Sequence, residues 1–231
     1  MTESPPPDSL EENERRQRQG NPDRVAAFTD GVFAIIITIL VLEIGVPSNL
    51  SEQSLRDALN ETGSTLVAWV ISFFLVGMYW VWHRDLFARV RSVNREFVWL
   101  NLIFLLPVSL IPFASAVMGE YHDEPIALHL YGLVLIVASF ARIVMFHYVT
   151  KRPALLWEPG TTRTRRIGLA ISAAPIPLYL AAMLVAGPAP TVSLAVYFAA
   201  VSYTHLRAHE TLGSISYAVF CLKRGGGGGG G

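Results

Sequence analysis

The stretch Arg24 to Ile44, RVAAFTDGVFAIIITILVLEI, holds an uncharged run from Gly31 to Leu42 with Asp30 at one end and Glu43 at the other. At 1.5 Å per residue its 21 residues cover roughly the 30 Å hydrocarbon core of a bilayer. Few folds remain open to a chain that carries such a stretch. Isoleucine and threonine are middling helix formers in water, but in lipid a backbone has only its own turns to bond with, so the segment is a membrane helix.

The same pattern recurs downstream. A second span is expected over about Ser64 to His83, ending in Tyr79, Trp80 and Trp82, aromatic rings of the kind that sit at a membrane boundary. A third covers about Phe97 to Val117 and contains Pro107 and Pro112; a fourth covers about Ile126 to Thr150 and is long enough to tilt. The fifth is expected over about Ile167 to Ala186, followed by a tight turn at Gly187-Pro188-Ala189-Pro190 and a sixth span from near Thr191. Between the first two spans, Gly45 and Pro47 end the helix, and Ser48 to Gly63 has room for a short amphipathic helix capped by Ser51. Residues 1–23 are polar, with Pro5-Pro6-Pro7 and the mixed-charge run EENERRQRQ; they lack the apolar core of a signal peptide and read as a disordered tail. With 52% hydrophobic and 16% charged residues, the chain reads as an all-α, polytopic membrane bundle of six helices.

A net charge of zero conceals an asymmetry. Thirteen Lys and Arg fall before the first span or in the segments after the second and fourth, while the segments after the first, third and fifth hold only Arg56. The positive-inside rule then puts the N-terminus in the cytoplasm. Arg142 lies within the fourth span and is expected to pair inside the bundle or to snorkel toward the basic side.

Taking 100° per residue from Ile35, Phe28, Gly31, Thr38, Ile39 and Leu42 all lie within about 60° of it, so small, aliphatic and hydroxyl side chains form one strip. Asp30 lies on the opposite side. Periodicity alone does not separate a pore-lining strip from a lipid-facing or packing one.

The residues carry a resemblance as well. Arg24-Val25-Ala26-Ala27-Phe28-Thr29-Asp30 resembles the Arg-x-x-x-Phe-Ser-Asp motif of the bacterial branch of the transmembrane protein 175 family of potassium channels, with Thr29 keeping the hydroxyl of the usual serine. GVFAIIITILVLEI is similar to that family's first helix, and YWVWHRDLF (Tyr79 to Phe87) and LNLIFLLPVSLIPFAS (Leu100 to Ser115) are similar to its second and third. The resemblance implies a homotetramer in a bacterial plasma membrane, with the first helix of each subunit around a pore for potassium ions. It makes Ile35 the narrowest ring, Ile39 and Leu42 further rings, and Thr38 the layer that favours potassium. Glu43 is either a cation-concentrating group at the outer mouth or a solvated helix end. Asp30, as an ionisable group inside a span, is expected to bond His83 or a nearby indole or amide such as Trp80 or Asn101.

No nucleotide-binding glycine motif, nucleophile elbow or potassium-filter loop is present, and His83, His122, His129 and His147 have no ligand spacing that suggests a metal. An enzyme, a cofactor and a nucleic-acid partner are therefore not expected. A proton- or ion-coupled transporter with Asp30 and His83 as a relay is the alternative; the inverted repeat that would favour it is not visible. Residues 201–231 stand apart. VSYTHLRAHET (Val201 to Thr211) and ISYAVFCL (Ile215 to Leu222) back-translate to strings resembling the two ends of a transposase sequencing adapter, so this segment reads as translated adapter, and native sequence is expected to stop near Ala200. Cys221, the single cysteine, goes with it.

Overall fold

The computed structural model describes residues 20–45 and 62–200. The tail before residue 20, the amphipathic helix expected after Ser48 and the adapter-like residues 201–231 lie outside the described residues. The described residues are overwhelmingly helical, and their only extended pairings are two isolated bridges, Gly20 with Val93 and Val90 with Leu156.

Helix α1 runs Pro22–Leu42. It begins two residues earlier than expected because Asn21 caps it, its side chain accepting from the Asp23 amide at 2.8 Å, with Pro22 in the first turn where no amide is needed. Helix α2 spans Gly63–Phe87 and runs four residues past the expected end at His83, with Arg84 in its last turn. Helix α5 spans Pro125–Thr150 and sits centrally, packed against the third and fifth spans on either side.

Two spans are broken. The third divides at Leu110 into α3 (Arg95–Ser109) and α4 (Ile111–Glu120). Pro107 and Pro112 each remove a helical amide donor, and the chain relieves the loss by starting a new helix with Pro112 in its first turn. The fifth divides at Ala174 into α6 (Thr162–Ala173) and α7 (Pro175–Val185). Its start is five residues earlier than the sequence suggested, because Thr161 caps α6 by accepting from the Thr164 amide; Arg163, Arg165 and Arg166 are thus helical and not loop residues. Helix α8, Pro190–Ala200, is the described part of the sixth. Five stretches (α1, α2, α3 with α4, α5, and α6 with α7) are each long and apolar enough to cross a membrane.

Lipid tails are as apolar as leucine, so the bundle cannot rely on hydrophobicity to hold its helices together. Buried hydroxyls provide part of the adhesion. Ser72 of α2 bonds Ser115 of α4 at 2.8 Å and Tyr131 of α5 at 2.9 Å, and Tyr79 bonds Ser139 at 3.2 Å. Close backbone approach provides more: a Cβ on Gly119 would lie 2.8 Å from the Thr65 Cα, so only glycine lets α2 and α4 meet there. Arg142 is buried and pairs within the bundle. Its guanidinium donates to the Ser172 carbonyl at 2.5 Å and lies 5.3 Å from the Trp82 ring and 5.7 Å from the Tyr79 ring. Ser172 lies in the last turn of α6, where Pro175 and Pro177 deprive neighbouring carbonyls of donors. A cation at that negative helix end therefore has a partner without any carboxylate.

Candidate functional site

Thr29, Phe33, Ile36 and Leu40 form the buried face of α1, spaced four, three and four residues apart as a helix requires, and pack against α2, α3 and α4. The strip on the other side is uncovered. Ile35 is 59% exposed, Ile39 37% and Leu42 77%; Phe28, Gly31 and Thr38 are exposed as well. Glu43 caps the helix at the far end and is exposed. Arg24 is exposed at the near end.

A buried chain of hydrogen bonds holds this orientation. His83 of α2 bonds through Nε2 to the Asn101 Oδ1 at 2.8 Å; the Asn101 amide donates to the Thr29 Oγ1 at 2.8 Å; the Thr29 hydroxyl donates to the Val25 carbonyl at 2.9 Å. Because Asn101 accepts, Nε2 must carry the hydrogen, and the neutral ring leaves Nδ1 bare and without a partner. The imidazole is held between rings, stacked on Phe87 at 4.3 Å and parallel to Phe104 at 6.2 Å. All three links run in one direction and end on the α1 backbone, which fixes both the rotation and the depth of the helix.

Asp30 joins a different set. It accepts from the Trp80 indole at 2.9 Å in an exposed position, and the Arg84 guanidinium lies 5.5 Å from that ring while also bonding Asp85 at 3.1 Å. Of the partners expected for Asp30, the structure brings the indole; His83 and Asn101 bond each other. A direct Asp30–His83 relay is thus not formed. Sequence reasoning included Thr29 only through its motif and did not foresee its bond to Asn101, which makes it the joint between α1 and α3. Its signal was available, since Thr29, His83 and Asn101 are polar residues near the same end of three successive spans.

Thr38 has its own geometry. Its hydroxyl hydrogen turns back to the Ile35 carbonyl at 2.8 Å and the Ala34 carbonyl at 3.1 Å, so the oxygen lone pairs face outward from the uncovered strip. Among the described residues no group of three or more His, Cys, Asp and Glu side chains is placed to hold a metal.

Residues 24–112 match the model of the family described as endosomal/lysosomal potassium channel TMEM175. A protein from Streptomyces collinus named a potassium channel is 35% identical over 173 residues, covering 71% of this chain and 84% of that protein. The human protein named endosomal/lysosomal proton channel TMEM175 is 32% identical over 150 residues, 60% of this chain and 30% of that longer protein. The fold superposes with a TM-score of 0.71 and 26% identity on a crystal structure described as a lysosomal potassium-selective channel TMEM175 homolog from Chamaesiphon minutus, covering 80% of this chain and 97% of that one. With its motif, its five membrane-capable stretches and these relatives agreeing, the chain belongs to the TMEM175 family, multi-pass membrane ion channels and not enzymes.

Proposed function

We propose that this chain is one subunit of a homotetrameric, potassium-selective leak channel in a bacterial plasma membrane, with its N-terminus in the cytoplasm, residues 24–200 as the channel domain and α1 of each subunit lining the pore. The observation that carries the reading is the pairing of a locked face with an open one on α1: Thr29, Phe33, Ile36 and Leu40 bury themselves in the subunit while Ile35, Ile39 and Leu42 have nothing over them. Four such strips around an axis make an apolar throat. A throat a few ångströms wide expels water and closes without a plug, and on widening lets a partly hydrated ion through. Ile35 is the narrowest ring in this arrangement. Thr38, one turn further along, presents oxygens whose hydrogens are already committed to the helix, so they act as acceptors for a cation without reorganising. Potassium is the permeant ion, and no cofactor takes part.

The selectivity role has a direct test. Thr38→Val keeps the side-chain shape and removes the oxygen. In planar bilayers with potassium on one side and sodium on the other, the reversal potential of this variant is expected to move toward zero, with potassium-over-sodium preference falling roughly fivefold, about 1 kcal/mol of differential stabilisation. An unchanged reversal potential counts against Thr38.

A further inference from the structure

The end of the bundle that carries the α1 N-terminus also carries a fixed basic platform. Three separate segments are stitched there by backbone hydrogen bonds. Gly20, just before the α1 cap, exchanges bonds with Val93 at 2.8 and 3.2 Å. The α2–α3 connection is in turn tied to the α5–α6 connection, the Arg91 amide donating to the Leu155 carbonyl at 2.8 Å and the Trp157 amide to the Arg89 carbonyl at 3.0 Å. Buried Val90, Val93, Leu155 and Leu156 anchor the platform from below.

This end of the bundle exposes Arg89, Arg91, Arg95, Lys151 and Arg152, and with them Trp157, which is 65% exposed. None of these five cations forms an ion pair among the described residues, and the carboxylates on the described part of this end are Asp23, Asp85, Glu96 and Glu158. The guanidinium of Arg91 lies 5.6 Å from the Trp157 ring centre and that of Arg152 lies 3.6 Å from the Tyr148 ring centre. A guanidinium held on an aromatic face keeps its N–H edge free for bidentate bonding to phosphate. Depth agrees. Helices α2 and α5 have 25 and 26 residues, so they rise about 37–39 Å and overshoot a 30 Å hydrocarbon core by about 4 Å at each end, which sets the platform at the level of the headgroups.

We infer that this platform is a binding site for an anionic phospholipid headgroup of the adjacent leaflet, with Arg91 and Arg152 gripping the phosphate and Trp157 seated at the interface beside the glycerol. The positive-inside distribution accounts for how many charges lie on this side; it does not account for Arg89, Arg91 and Arg152 being held on backbone-bonded segments, two of them over aromatic rings. Because the stitching reaches Gly20, the site is also tied to the start of α1.

The test is lipid retention by the full-length protein. Protein in mild detergent is offered phosphatidylglycerol and phosphatidylcholine with matched acyl chains, and the retained lipids are counted by native mass spectrometry. Wild type is expected to keep phosphatidylglycerol at least fivefold over phosphatidylcholine. The double variant Arg91→Gln with Arg152→Gln is expected to bring the ratio within twofold of unity. Arg91→Lys with Arg152→Lys, which keeps the charge and loses the fork, should fall between. Arg84→Gln, whose guanidinium is already engaged by Asp85 and Trp80, should match wild type. A wild-type protein without the preference, a double glutamine variant that keeps it, or an Arg84→Gln variant that loses it equally would overturn the assignment.

Discussion

Replacing Ile35 with asparagine is expected to raise resting potassium current roughly tenfold or more, the equivalent of lowering the closed throat's barrier by about 1.4 kcal/mol. In the proposed tetramer the change places four amides where four sec-butyl groups would exclude water, so the constriction wets and conducts without widening. The neighbouring residue supplies the contrast. Ile36 faces the subunit interior and is buried. Ile36→Val should therefore leave conduction near wild type while costing about 0.5–1.5 kcal/mol of stability. Single-channel recording separates the two: an increase with both variants, or with neither, contradicts the assignment of faces on α1.

The second large effect lies away from the pore. Asn101→Leu is expected to destabilise the protein by about 2–4 kcal/mol, because it strands the His83 Nε2–H and removes the donor to Thr29, both in buried positions. For a domain of this size that corresponds to a fall in Tm of roughly 5–15 °C. Trp80→Phe breaks the exposed bond to Asp30 alone and should cost no more than about 1 kcal/mol. Thermal unfolding of purified protein reads both. Since the His83–Asn101–Thr29 chain sets the rotation of α1, recordings from whatever Asn101→Leu protein assembles should show weakened potassium selectivity as well. Equal thermal shifts for the two variants would place the anchor at Asp30 instead.

Sequence and structure part company at identifiable places. The spans themselves were legible, because an apolar run in lipid has no alternative to a helix. Their ends were less legible, because apolar runs do not mark the caps: the α1 start moved two residues because Asn21 caps it ahead of a proline, and the α6 start moved five because Thr161 lies ahead of an arginine-rich turn that reads as loop on charge alone. The breaks in spans three and five were not expected, because a proline in a membrane helix can be carried or can end it. Pro107 is carried inside α3, whereas Pro112 opens α4, and a sequence gives no means of ranking the two. Angles on one helix follow from 100° per residue, so the two faces of α1 could be told apart, but not which of them the subunit would bury. Which α2 side chain comes alongside Asp30 depends on the crossing of two helices and was not; the result is an indole where an imidazole had equal claim. The stitched basic platform was invisible for a different reason, since backbone bonds between loops leave no periodicity behind.

The central claim, that the Ile35 strip of α1 lines the conduction path, is tested most directly by thiol modification of single-cysteine variants during bilayer recording, with Cys221 replaced. The comparison that matters is with α7, whose Leu184 is 81% exposed and is equally uncovered within the subunit. Ile35→Cys and Leu42→Cys channels should lose most of their current to a small water-soluble thiol reagent, while Leu40→Cys and Leu184→Cys channels keep theirs. Block at Leu184→Cys with none at Ile35→Cys would move the pore to another helix and contradict the account.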